Sequence, residues 1–487
     1  MESLERERLA REAGPFDVTN RLIFSIALPM TLGFLTTPLL GLIDTGVVGR
    51  LGRAEMLAGL AVGAVLFDLI FTTFNFLRAS TTGLVAQAYG RGDRREQQAV
   101  FWRSLVIALF CGIAIVLLSP LLLALGLWLM APGPEVAAVT STYFLYRILS
   151  GPAALANYAI LGFVLGRGDG SIGLLLQTII NGTNIVLSIL LGLVLGWGVS
   201  GVAIGTVAGE LIGALAGFAI VYGRFDKRDA PDWATIFAGD RLKALFGLNR
   251  DIMIRSFVLL AAFTLMTRIG TSLGPVTLAA NAVLMTIFLV AGYYLDGLAN
   301  AAEQLTGRSI GAAYRPAFDR ALRMTAFWSL GLALMTTVLF LAFGNILVDL
   351  LTTAPDVRAL AYEYMPWAAI TALTGAMAFL MDGVFIGATW SRDMRNMMLA
   401  AFLVYGAALA VLVPVFGNHG LWAGLNLFLL LRGLFLVMLL PRRAAQTFRP
   451  AQWSRRLSRI SRIEASFSRS QSVERPRTIR PGSDGPS

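Results

Sequence analysis

Apolar residues in this chain come in long unbroken runs rather than in alternation. After Arg21 the run LIFSIALPMTLGFLTTPLLGLI (22–43) carries no charge, and similar runs recur as far as residue 441. About twenty such residues are what an α-helix needs to cross a bilayer. The pattern predicts about twelve spans, near 19–47, 56–82, 98–128, 137–164, 171–195, 199–222, 251–273, 277–304, 325–351, 359–387, 397–415 and 420–441. A transmembrane barrel would alternate polar and apolar positions, and these runs do not. The expected fold class is an all-α polytopic membrane protein.

Basic residues fall in alternate loops. One set holds Arg91, Arg94 and Arg95, then Arg167, then Arg224, Lys227, Arg228, Arg241 and Lys243, then Arg308, Arg315 and Arg320, then Arg392 and Arg395. The other loops (APGPE, GWG, SLG, TTAPD, GNHG) are short and poor in bases, with Arg50 and Arg53 the exceptions. The positive-inside rule then places both termini in the cytoplasm, as an even number of spans requires. The expected organisation is a cytoplasmic segment 1–18, a first lobe 19–222, a cytoplasmic linker 223–250, a second lobe 251–441 and a basic tail 442–487. The tail is rich in Ser, Arg and Pro and reads as disordered, either resting on anionic lipid or without a role. The leader MESLERERLAREAG does not read as a cleaved signal peptide.

Composition agrees with this reading: 56% hydrophobic and 14% charged, with mean hydropathy +0.70. The net charge of +11 lies in loops and tail and does not point to nucleic acid. The single cysteine, Cys111, excludes an intrachain disulfide.

The chain also resembles itself at a spacing of 221 residues. LVAQAYGR (84–91) lies over LTGRSIGA (305–312), pairing Leu84 with Leu305 and Gly90 with Gly311. GFVLGRGD (162–169) lies over GVFIGATW (383–390), pairing Gly162 with Gly383 and Gly166 with Gly387. With one gap, LGRAEMLAGLAV (51–62) lies over LGPVTLAANAV (273–283). Six spans per repeat give both halves the same orientation, related by an axis along the membrane normal. Parallel repeats of this kind build transporters, with the site near the midplane.

No catalytic constellation is visible: the chain has no GxxxxGK[ST], no HExxH and no CxxC, so neither an ATP site of that kind, nor a catalytic residue, nor a metal is expected. The one histidine, His419, reads as a turn residue. Without a cofactor, uphill transport must draw on an ion gradient. Asp44 is the sharpest candidate for that coupling. A carboxylate at membrane depth costs about 3 kcal/mol or more, and burial opposes its charged form. It is therefore either a group that loads a proton or cation, or a helix-end carboxylate paired with Arg50 or a neighbour in the bundle. Thr45 follows it. Pro29 lies earlier in the same run, removes a backbone hydrogen bond and permits a kink. Asn181, Asn184 and Ser188 on the fifth span, and Thr206 and Glu210 on the sixth, either line a cavity with Asp44 or bond helices together. Asp68, Asp296, Glu303 and Asp382 are secondary candidates. Pairing with Arg78, Arg147 or Arg268 is the favoured reading for them.

Several stretches together resemble the MATE (multidrug and toxic compound extrusion) transporters, and among them the DinF-type branch. They are PLLGLIDTGVVGRLG (38–52), FLRASTTGLVAQAYG (76–90), NIVLS (184–188) with GWGVSGVAIGTVAGE (196–210), AVLMTIFLVAGYYLDGLANAAEQLTG (282–307), MDGVFIGATWSRDMRNMM (381–398) and GNHGLWAGLNLFLLLRG (417–433). The resemblance implies two parallel six-helix lobes forming a V. It implies multidrug efflux: lipophilic, often cationic small molecules exported in antiport against protons or sodium, by a monomer in a bacterial inner membrane. It implies no nucleic-acid partner. Carried over residue by residue, Asp44 matches the first helix's protonation site and Pro29 the proline where that helix bends. Asn184 and Thr206 match cavity residues. The chain departs from the pattern at Ser188, where the family often reads NIVLD. One carboxylate is missing, which favours H+ over Na+, since sodium prefers several oxygens. Two rival readings are a sodium-coupled exporter and a lipid-linked sugar flippase using Arg78, Arg147 and Arg268. A membrane-embedded enzyme is disfavoured for want of a nucleophile–base pair.

Overall fold

A computed structural model describes residues 16–448. The leader and the tail beyond 448, with the expectations attached to them, lie outside the described residues. The described chain is helical. Residues up to 439 form one compact unit, and Leu440 begins a second.

In the first half the helices are α1 (Asn20–Gly49), α2 (Ala54–Thr73), α3 (Phe76–Gly90), α4 (Arg94–Leu117), α5 (Ser119–Met130), α6 (Pro134–Arg147), α7 (Gly151–Gly166), α8 (Gly170–Leu187) and α9 (Gly198–Tyr222). The second half has α10 (Gly239–Ser272), α11 (Pro275–Gly311), α12 (Arg315–Leu351), α13 (Pro355–Gly387) and α14 (Ser391–Thr447). Among the described residues, eleven helical stretches are long and apolar enough to cross a membrane. The last is two helices that meet at Gly417, whose φ of 53° and ψ of −128° suit a residue without Cβ. The expected eleventh and twelfth spans are thus both present. Helix α10 begins at Gly239, so residues 239–250 of the expected linker are helical.

Local sequence explains the ends. Thr19 accepts a hydrogen bond from the Leu22 amide at 3.2 Å and caps α1, and Asp93 accepts from the Glu96 amide at 2.9 Å and caps α4. Proline stands in the first turn of α6, α7, α11, α12 and α13, where its missing N–H has no partner to lose.

The 221-residue repeat is realised as backbone packing. A methyl group on Gly162 (α7) would meet the Arg78 carbonyl oxygen of α3 at 2.6 Å. One on Gly383 (α13) would collide with the carbonyl of Ala299 (α11), and 299 lies 221 residues beyond 78. Gly166 likewise faces the Thr82 carbonyl at 2.8 Å, and Gly387 faces that of Glu303, again 221 residues on. Between halves the relation is reciprocal. Gly90 abuts the Arg308 carbonyl and Gly311 abuts the Gln87 carbonyl. A contact in which i meets j′ while i′ meets j is the mark of a two-fold relation. The seam is formed by α1 and α3 of the first half against α11 of the second.

A second glycine device sets the site. Helix α9 carries glycine at every fourth position from 201 to 217. A Cβ on Gly201 would lie 2.6 Å from the Gly192 nitrogen, and one on Gly205 would lie 2.8 Å from the Ser188 nitrogen. Small residues at this spacing let membrane helices approach backbone to backbone.

Glycine at 387 is therefore a packing requirement. Gly387→Val is expected to lower unfolding free energy by about 1–3 kcal/mol through overpacking. Gly406→Ala, with nothing within 4 Å of its Cβ, is expected to leave it unchanged. Denaturant titration of the purified protein in detergent compares the two.

Candidate functional site

Asp44 sits near the end of α1 and is 8% exposed. Its Oδ1 is buried without a hydrogen-bond partner. Arg50, the sequence's possible partner, is exposed and makes no ion pair with it. The carboxylate faces the Ser188 hydroxyl and feels the Arg147 guanidinium. Ser188 donates its one proton to Asn184 Oδ1 at 2.9 Å, and Asn184 Nδ2 donates to Thr206 Oγ1 at 2.9 Å. Asp44, Ser188, Asn184 and Thr206 are thus brought together. Asn181 lies one turn earlier on α8 and ties to α1 at Thr36, donating to its hydroxyl at 2.6 Å. Thr45 is exposed on α1, outside these bonds.

Ser188 is also where α8 passes into a π-helical stretch, Ser188–Val194. Such stretches are rare and frequent at functional sites. Nothing in the spacing of apolar residues announces it. The signal that could have found it is the glycine stripe of α9, which demands a backbone at close range.

Arg147, at the end of α6, is the hub of the first half. It donates to the Tyr143 hydroxyl and lies over the Phe67 ring at 4.6 Å. Its charge acts on Asp44, Asp68 and Glu210. Glu210 accepts from Asn157 Nδ2 at 2.7 Å. Three carboxylates, of which Asp68 is exposed, therefore lie in the field of one guanidinium, none within ion-pair distance of it among the described residues.

The second half and the seam are balanced. Asp382 is gripped by Arg255 of α10 and Arg432 of α14, both through Oδ2. Asp296 lies in the field of the same two arginines and of Arg78. Glu303 pairs across the seam with Arg78 at 3.8 Å, and Arg78 donates to Asn300 Oδ1 at 2.9 Å. Glu303 and Asp382 are thus ion-paired. The partners were incompletely foreseen: Arg268 is exposed, whereas Arg255 and Arg432 do the pairing. Both are lone bases in apolar runs, the criterion that singled out Asp44.

Two repeats of membrane-spanning helices, packed about a two-fold seam with buried charge in each, define a transporter architecture. A family model described as MatE matches the chain twice, over 29–190 and 252–412. The DNA damage-inducible protein F of Escherichia coli (strain K12) is 37% identical over 420 residues, 86% of this chain and 91% of that protein. A probable multidrug resistance protein NorM of Agrobacterium fabrum is 30% identical over 410 residues, 78% of this chain and 84% of that protein. A solved structure described as the outward-facing conformation of a multidrug resistance MATE family transporter of the MOP superfamily superimposes with a TM-score of 0.80. It does so at 17% identity over 88% of this chain and 96% of that chain. The chain belongs to the MATE family, in its DinF-type branch, a family of membrane transporters rather than enzymes.

The two kinds of carboxylate should respond oppositely to neutralisation. Asp382→Asn leaves buried Arg432 and part-buried Arg255 without their partner and is expected to destabilise the protein by about 3–5 kcal/mol. Asp44→Asn removes a charge whose Oδ1 has no hydrogen bond and is expected to leave stability unchanged or raised. Thermal unfolding of the two purified variants checks the contrast.

Proposed function

We propose that this protein is an inner-membrane antiporter, with both termini cytoplasmic, that exports lipophilic, often cationic small molecules against inward proton flow, with Asp44 as the protonation site. The observation that carries the reading is the charge imbalance of the first half. Asp44, Asp68 and Glu210 face the single cation Arg147, while at the seam and in the second half three carboxylates meet Arg78, Arg255 and Arg432. Unanswered negative charge at membrane depth must be met by a proton or by a cation. A proton and a cationic substrate that compete for it are coupled through one equilibrium.

Sodium is the less suited ion. It needs several oxygens around it, and beside Asp44 the Ser188 and Asn184 side chains are bonded to each other. The flippase reading needs a cationic cavity. Arg78 and Arg147 are answered by carboxylates and Arg268 is exposed.

Helix α1 gives the coupling a route. Pro29 and Pro38 both lie inside it. Pro29 falls between Ala27 and Thr31, the residues pressed against Gly297 of α11 at the seam. In the proposed cycle Asp44 is deprotonated while substrate is held. Protonation from outside releases its hold, α1 bends at Pro29, and the seam contact changes.

Proteoliposomes test this. An imposed pH gradient should drive substrate movement and an imposed sodium gradient should not. Asp44→Asn, at equal insertion, should lose at least tenfold of the pH-driven rate. Undiminished pH-driven transport by the variant sinks the assignment, and transport driven by sodium alone sinks proton coupling. Ser188→Asp, which places a second carboxylate beside Asp44, should make the rate respond to sodium.

A further inference from the structure

Apart from the Asp44 site, a cavity of about 520 Å³ lies at the basic end of the bundle. Arg94, Arg167, Arg224 and Arg308 line it, against two carboxylates, Asp226 and Asp229. Asp226 is already engaged, since its Oδ1 accepts from the Arg228 amide at 3.0 Å. Behind the wall, Asp169 serves two arginines, Arg224 at 2.7 Å and Arg167 at 3.8 Å. Arg308 has no carboxylate within ion-pair distance among the described residues. The Nε of Arg167 is buried without a hydrogen-bond partner.

The placement of these arginines is fixed by rings. The Arg308 guanidinium lies 4.0 Å over Phe16 and 5.1 Å over Tyr89. That of Arg167 lies 5.9 Å over the same Tyr89 and 5.8 Å over Phe163. Stacking orients a guanidinium but does not neutralise it. One tyrosine thus holds two like charges, Arg167 from the first half and Arg308 from the second, facing one cavity. Such crowding is relieved by an anion with several oxygens, and the planar guanidinium fork matches phosphate. Gln97 and Gln98 add amide donors to the lining.

We propose that this cavity binds a phosphate-bearing anion, either a phospholipid headgroup or a soluble phosphate, clasped between Arg167 and Arg308 across the seam. The ligand bridges the two halves where Gly90 meets Arg308 and Gly311 meets Gln87. It therefore favours the state in which this end is shut, because a ligand stabilises the conformation it binds. The site is separate from Asp44 and does not depend on which ion drives transport.

The test uses the full-length purified protein with two probes. Inorganic pyrophosphate is titrated against its melting temperature in detergent. Retention of phosphatidylglycerol over phosphatidylcholine is measured by native mass spectrometry from mixed-lipid nanodiscs. The proposal expects saturable binding of at least one probe, weakened fivefold or more in Arg308→Gln and in Arg167→Gln and preserved in Asp44→Asn. Arg323→Gln, an exposed base on α12, should bind as the unaltered chain does, and Arg308→Lys should keep part of the affinity. Binding of pyrophosphate alone identifies a soluble phosphate, and selective lipid retention alone identifies a headgroup. The proposal is overturned if neither probe binds saturably, or if both glutamine variants bind as tightly as the unaltered chain.

Discussion

An apolar layer will not hold an unanswered charge, and the interior of this protein is arranged around that constraint. In its second half and at the seam two acids are ion-paired: Asp382 has Arg255 and Arg432, and Glu303 has Arg78 of the first half. These pairs hold helices together. Arg432 fixes α14 to α13, Arg255 fixes α10 to α13, and Arg78 fixes α3 to α11. The first half leaves the account open, with Asp44, Asp68 and Glu210 around Arg147. The same physics that ties the second half's helices together leaves the first half, in the proposed reading, as the place for a transported charge.

Backbone and side chains follow different symmetries. Glycines 162 and 383, 166 and 387, and 90 and 311 meet equivalent carbonyls, so the two halves share one helix-packing plan. The residues on that plan do not repeat. Glu303 stands 221 positions beyond Thr82, and Ala299 the same distance beyond Arg78. The buried Arg78–Glu303 pair at the seam is therefore built from residues whose repeat equivalents are neutral. A duplicated scaffold supplies two similar surfaces, and unequal charge makes one of them the structural partner of the other.

How much of this the sequence disclosed depends on the kind of signal. Apolar runs are set by bilayer thickness and are local, so the spans could be read, including the break near Gly417 that the GNHG turn marks. The repeat was legible because close approach admits only glycine, and a residue that admits no substitute leaves a fixed spacing. Asp44, Ser188, Asn184 and Thr206 were legible as polar exceptions in apolar helices. Their grouping depends on which helices pack together, and periodicity does not encode that. The π-helical turn at Ser188, against which the glycines of α9 pack, has no counterpart in the spacing of apolar residues and so was hidden. The partnership of Arg255 and Arg432 with Asp382 was hidden because it joins three helices that are remote in sequence.

Helix α1 is what joins these parts. Its carboxyl-terminal portion carries Asp44 toward Ser188, and Thr36 ties it to Asn181 on α8. Its amino-terminal portion presses Ala27 and Thr31 against Gly297 on α11. One helix thus carries the Asp44 carboxylate of the first half and touches the seam with the second. A rigid rod between two such contacts would have to move as a whole. With Pro29 inside the seam contact and Pro38 between the two contacts, backbone hydrogen bonds are missing where bending relieves a mismatch. In the proposed cycle a change in what Asp44 holds is taken up as a bend in α1 rather than as the breaking of either packed surface. An ion site in one half would need this in order to govern contact between both.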